Sequence, residues 1–188
     1  MKSREAIINK LNDLNAYAEV ELPSLQEIGN RSTIYSLDHF KQVLTQLQAK
    51  HQTFENRADL DHYLNTIQSS DPSMVNILED SSMEIQSPYN TRHFVAEGLF
   101  GVLENGAIWV SPENKSQRLT LFSCEVLVIV LKESELVNDM HQAYKQLVGR
   151  DWNYGVFISG PSKTADIEQS LVIGAHGPCN LQVLLYRD

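Results

Sequence analysis

Apolar residues recur at helical spacing in three places within the first seventy positions. Ile7, Ile8, Leu11 and Leu14 predict one helix, with Ser3 as its N-cap. A polar, irregular stretch around Pro23 and Gly29 follows. Leu37, Phe40, Val43, Leu44 and Leu47 predict a second amphipathic helix capped by Ser36. Leu60, Tyr63, Leu64 and Ile67 predict a third, short one with Asp59 near its start. Met74 to Leu78 then reads as a buried strand closed by the polar run from Glu79 to Ser82.

The pattern changes in the middle of the chain. Phe94 to Trp109 is rich in β-formers and glycine, and Asn105-Gly106 separates two apolar runs, Gly101 to Leu103 and Ala107 to Val110. That dipeptide predicts a tight type I′ hairpin, a turn that needs positive φ at both central residues. Glu125 to Leu131 reads as a strand buried on both faces, and Leu136 to Leu147 as a helix ending near Gly149. Gly155 to Ser159 predicts another strand, followed by a glycine–proline turn, a helix over 165–172 and a last strand from Leu181 to Tyr186. Alternating strands and helices imply parallel pairing, so the strands near 126–130, 156–159 and 183–186 are expected in one sheet. The hairpin adds antiparallel strands. The expected class is α/β with a mixed, mainly parallel sheet. One domain over 1–188 is expected, with a largely helical portion over 1–70 and the sheet core over 71–188.

Composition narrows the partners. The 188 residues carry a formal net charge of -9 and no lysine or arginine run, which argues against nucleic acid and against an anionic membrane surface. The first residues lack the apolar core of a signal peptide, and no stretch is long enough to span a bilayer. Cys124 and Cys179 form no metal-binding spacing and suit reduced thiols. A cytoplasmic protein without a metal site is expected.

Candidate chemistry gathers in the last third. Gly155 to Ser170 reads as strand, turn and helix start, and ligands in open α/β sheets bind beyond strand ends. Gly160 allows close backbone approach, and Ser162 and Thr164 offer hydroxyls at a helix N-terminus suited to an anion. Thr164 and Asp166 also suit an ordinary cap, and Asp166 and Glu168 are spaced so that they cannot form a close dyad. His176 stands in a second glycine-flanked turn, Ile173 to Pro178, as a general acid–base or an anion-binding group, with a turn histidine as its competing reading. Glu104, directly before the Asn-Gly dipeptide, is the other catalytic candidate, with a solvated turn residue as its competing reading.

The run S-G-P-S-K-T-A-D-I-E-Q-S-L-V-I-G-A-H-G-P from Ser159 to Pro178, followed by L-Q-V-L-L from Leu181, resembles the closing signature of the LUD-domain family of LutC-type lactate-utilisation proteins. Gly101 to Val110 is similar to that family's central hairpin. The commoner form there is A-E-T-G-T, whereas this chain has L-E-N-G-A and lacks the threonines. The resemblance implies a Rossmann-like αβα core related to glucosamine-phosphate deaminases, ribose-phosphate isomerases and CoA transferases. It also implies participation in oxidising L-lactate to pyruvate beside iron–sulfur oxidoreductase subunits. With no cysteine cluster in this chain, iron–sulfur clusters are expected in the partners alone. The other reading is a stand-alone enzyme or sensor for a small anionic metabolite, a sugar phosphate or acyl thioester, at the strand-end site.

Overall fold

The computed structural model describes residue 4 and residues 7–10, 33–163 and 177–187. The chain divides into two compact units, Met1–Thr33 and Ile34–Asp188. In the first, residues 7–10 are helical, as the spacing of Ile7 and Ile8 predicts. Ser3, Leu11 and Leu14 lie outside the described residues, as does the helix expected over 165–172.

The second unit opens with α1 (Leu37–Gln46), capped by Ser36, whose hydroxyl accepts from the His39 amide. Phe40 and Leu44 on its inner face are fully buried. Then come β1 (Lys50–Phe54) and α2 (Arg57–Ser70), the latter capped by Asn56 and fourteen residues long rather than short. Next are β2 (Val75–Asn76), β3 (His93–Gly98), β4 (Phe100–Val102) and β5 (Ile108–Val110). The remainder is α3 (Lys115–Ser123), β6 (Val126–Lys132), β7 (Leu136–Val137), α4 (Met140–Leu147), β8 (Val156–Ile158) and β9 (Asn180–Tyr186).

Parallel and antiparallel pairings are both present, but two sheets divide them. Sheet A has the order β1-β9-β6-β3-β2 and is parallel throughout. Sheet B has the order β7-β4-β5-β8, with β5 antiparallel to both neighbours and β7 parallel to β4. Apolar side chains of β6 alternate between two cores, which is why its sequence is continuously hydrophobic. Leu127, Ile129 and Leu131 join α1, α3 and β5 on one face, while Val128 and Val130 join α2 on the other. The far side of sheet B packs on α4 through Phe100, Val102, Trp109 and Ala143.

Four expectations are corrected. The 156–158 strand lies in sheet B, not with β6 and β9, because Phe157 pairs with Trp109 of β5 inside an aromatic cluster that includes Phe100 and Trp152. The helix expected from Leu136 begins at Met140; Asp139 caps it by accepting from the Gln142 amide, and Leu136–Val137 pairs with β4 instead. The sheet core starts at Lys50, not at 71. The Met74–Leu78 strand shrinks to a two-residue edge.

The Asn105-Gly106 turn does join antiparallel strands, but as a longer loop than type I′. Gly106 alone has positive φ, at 70°, and its amide donates to the Val102 carbonyl at 3.0 Å. A Cβ at Gly106 would also stand 3.0 Å from Leu47 and 3.1 Å from Val43 of α1. Gly106→Val should therefore lower stability by about 1 kcal/mol or more, read as a lower urea midpoint. An unchanged midpoint would contradict the turn.

α2 is fastened to β3 by Asp71, whose carboxylate accepts from the Ser73 amide and hydroxyl and lies 2.5 Å from His93 Nδ1. The Ser73 hydroxyl first, and then His93, hold the Asp71 carboxyl below its ordinary range. A depressed carboxyl stabilises the fold above its unfolded pKa of about 4, and that contribution fades as pH falls through the lower folded value. Asp71→Asn should therefore be less stable than the parent at pH 7, with the gap narrowing below about pH 4 in urea titrations. A gap that is constant with pH would contradict the ionic role.

Candidate functional site

The first turn of the signature meets the end of the second, at Gly177 and Pro178. β8 ends at Ile158, and the chain turns through Ser159 and Gly160, whose φ is 86°. Gly160 is required there twice over, because a Cβ would also stand 3.0 Å from the Leu47 carbonyl oxygen. Pro161 is buried and Ser162 is half-buried. The Ser162 amide donates to the Pro178 carbonyl at 3.0 Å, and a Cβ on Gly177 would lie 3.0 Å from Ser162 Cβ. Ser162 therefore touches the segment just after His176. Thr164, Asp166 and His176 themselves lie outside the described residues.

A pocket of about 220 Å³ lies at this junction, lined by Phe122, Leu127, Ile158, Gly160, Ser162 and Gly177, among others. Two features differ from expectation. Because β8 belongs to sheet B, the turn after it lies at the amino ends of β6 and β9, beside Leu127 and Leu181, and not at the carboxyl edge of the parallel sheet. The Ser162 amide is also already taken by Pro178, which leaves its hydroxyl as the polar group that Ser162 can offer.

Glu104 is half-buried and stands apart from that pocket. Its amide donates to the Asn138 carbonyl at 3.1 Å, and its carboxylate accepts from the Met140 amide at 3.3 Å, on the first turn of α4. A carboxylate at a helix N-terminus stabilises the exposed amides there. The His39 ring, tilted against the Tyr35 ring at 4.7 Å, reaches the Glu104 carbonyl at 3.4 Å. The hairpin turn is nevertheless tied to the signature turn, since the Ser159 hydroxyl donates to the Asn105 carbonyl at 3.0 Å.

A second and larger cleft, about 560 Å³, opens where the carboxyl ends of β2 and β3 face the loop after β5 and the segment before β8. Leu78, Glu97, Ser111, Glu113, Trp152 and Tyr154 are among its lining residues. Gln117 sets its wall: fully buried, it donates to the Ser81 and Met83 carbonyls and accepts from the Glu113 amide. The Ser111 hydroxyl pins the opposite side by donating to the Tyr154 carbonyl at 2.7 Å. This cleft escapes sequence reading because its residues come from five separate segments. The available signal is Ser111-Pro112 directly after a strand.

Burial pushes the Cys124 thiol up to about 12, so it stays protonated at neutral pH; Cys179 is exposed. Among the described residues, no group of three or more His, Cys, Asp or Glu side chains could hold a metal ion, and no helix is long and apolar enough to cross a membrane.

Comparison with known proteins gives these turns a context. Lactate utilization protein C of Bacillus pumilus is 34% identical over 95 residues, covering 47% of this chain and 40% of that protein. The protein of the same name from an Exiguobacterium species is 39% identical over 80 residues, covering 39% of this chain and 34% of its own length. The matches thus span well under half of those relatives. The crystal structure of a DUF162 family protein from Deinococcus radiodurans shares the fold, with a TM-score of 0.57 at 15% identity over 88% of this chain and 99% of that one. The LUD domain model matches residues 89–186, which takes in the hairpin, β3 to β9 and both signature turns. The chain belongs to the LUD domain family.

Proposed function

We propose that this chain takes part in lactate utilisation, as a non-redox subunit that works with iron–sulfur partner proteins in oxidising L-lactate to pyruvate. The observation that carries this reading is the family match over 89–186, together with relatives that bear the name lactate utilization protein C. Electron transfer is assigned to partners because iron–sulfur clusters need about four thiolates. This chain has two cysteines, one of them a buried, protonated thiol.

The small pocket is the proposed seat of the acid. Its volume of about 220 Å³ suits a three-carbon acid better than a larger metabolite. Ser162 supplies a hydroxyl, Gly160 permits close approach, and Thr164, Asp166 and His176 complete the proposed set. Isothermal titration with L-lactate and pyruvate tests this. Ser162→Ala and His176→Ala should each weaken binding about tenfold, the worth of one charge-assisted hydrogen bond, with unfolding midpoints close to the parent's. Equal affinity in both variants would remove the acid from this pocket.

A further inference from the structure

The wall of the small pocket is mostly carbon. Leu121, Leu127 and Leu181 form part of it, each at most 2% exposed and shared with the main core, and Val156 and Ile158 of β8 pack beside them. Among the described residues that line it, none carries a charge. The polar side chains there are two serines, and Ser159 already donates its hydroxyl to the Asn105 carbonyl. An acid therefore finds a hydroxyl at Ser162 and an aliphatic surface over most of the remaining wall.

Phe122 carries that apolar wall out to the surface. It lines the pocket and is 43% exposed, whereas Phe40, Phe54, Phe94 and Phe100 are each at most 8% exposed. Gly177 sets Phe122 beside Ser162. A Cβ on Gly177 would lie 3.1 Å from the Ser162 hydroxyl oxygen and 3.9 Å from the Phe122 carbonyl oxygen. The polar and the apolar side of the rim are thus neighbours, so an acid bound at Ser162 has its side chain next to carbon.

On the reading of this pocket as an acid site, we infer that it discriminates among small 2-hydroxy acids by their side chain. It prefers an alkyl group of two or three carbons to the methyl of lactate, and Phe122 is the specificity-determining residue at its rim. A volume of about 220 Å³ keeps the acid small, since it lies below the roughly 300 Å³ at which drug-sized sites begin. Within that limit the wall decides: a single methyl covers little of five aliphatic side chains and a ring, and each further buried methylene is worth about fourfold in affinity. The larger cleft does not compete for these acids. Glu97, Glu113 and Asp151 line it, with no lysine or arginine among its described lining, and they repel a carboxylate.

Isothermal titration of the full chain with L-lactate, L-2-hydroxybutyrate, L-2-hydroxyisovalerate and L-malate tests this. Affinity should rise about threefold from lactate to 2-hydroxybutyrate and about tenfold from lactate to 2-hydroxyisovalerate. L-Malate, with a second carboxylate in place of the alkyl group, should bind no tighter than lactate. Phe122→Ser should cut the tenfold ratio to about threefold or less. Phe122→Leu keeps an apolar side chain and should hold the ratio within about twofold of the parent's. The ratio is read within each variant, so a general loss of stability does not move it. Lactate that binds as tightly as the longer acids would overturn the inference and leave the acid site standing. A branched acid that binds where lactate does not would support it and remove lactate itself from the pocket. A ratio unmoved by Phe122→Ser would overturn the role of Phe122, and four acids that all fail to bind would overturn both readings.

Discussion

Phe94→Ala should destabilise the protein by about 3–5 kcal/mol, the range for removing a fully buried aromatic ring. Phe94 has no exposed surface and sits in the central part of sheet A, on β3, between β6 and the edge strand β2. It belongs to the core that joins sheet A to α1, α3 and sheet B, so the cavity left behind cannot be closed by moving one loop. Urea unfolding measures it; a loss below about 1.5 kcal/mol would mean that this face is looser than described.

Gly155→Val should be nearly as damaging, at about 3 kcal/mol, the upper end for overpacking a filled interior. A Cβ at Gly155 would stand 1.9 Å from Trp109 Cζ2, and the indole cannot swing away because Phe100, Trp152 and Phe157 surround it. β8 would have to leave β5. Since β8 lines the small pocket, the same substitution should weaken ligand binding there. A variant with the parent's unfolding midpoint would contradict the packing of β8 against Trp109.

The strands and helices most legible in the sequence are those with a single clear hydrophobic period. β6 and β9 carry continuous apolar runs, and α1 carries an apolar stripe with a serine cap. β1 was illegible because Lys50-His51-Gln52-Thr53 forms an edge strand, and its outer positions stay in water. α3 was illegible for the opposite reason: two of its three buried residues, Gln117 and Thr120, are polar and satisfied by hydrogen bonds to carbonyls. The sheet assignment of β8 depends on an aromatic cluster assembled from residues 100, 109, 152 and 157, which no local pattern reveals.

The site was legible in the same uneven way. The contact between Ser162 and Gly177 follows from two glycine-flanked turns, and the family signature marked both. The position of that contact at the amino ends of β6 and β9 did not follow, because it depends on which sheet β8 joins. Glu104 could be singled out from its turn, but its bond to the start of α4 spans thirty-six residues.

The central claim, a part in lactate oxidation, meets its most direct test in the source organism. The measurement is the L-lactate-dependent reduction of an electron-accepting dye by extracts of a strain lacking this gene, with and without the chain restored. Loss of activity on deletion and its recovery with the intact chain, but not with a Ser162→Ala, His176→Ala double variant, is the predicted result. Undiminished lactate-dependent reduction in the deletion strain would contradict it.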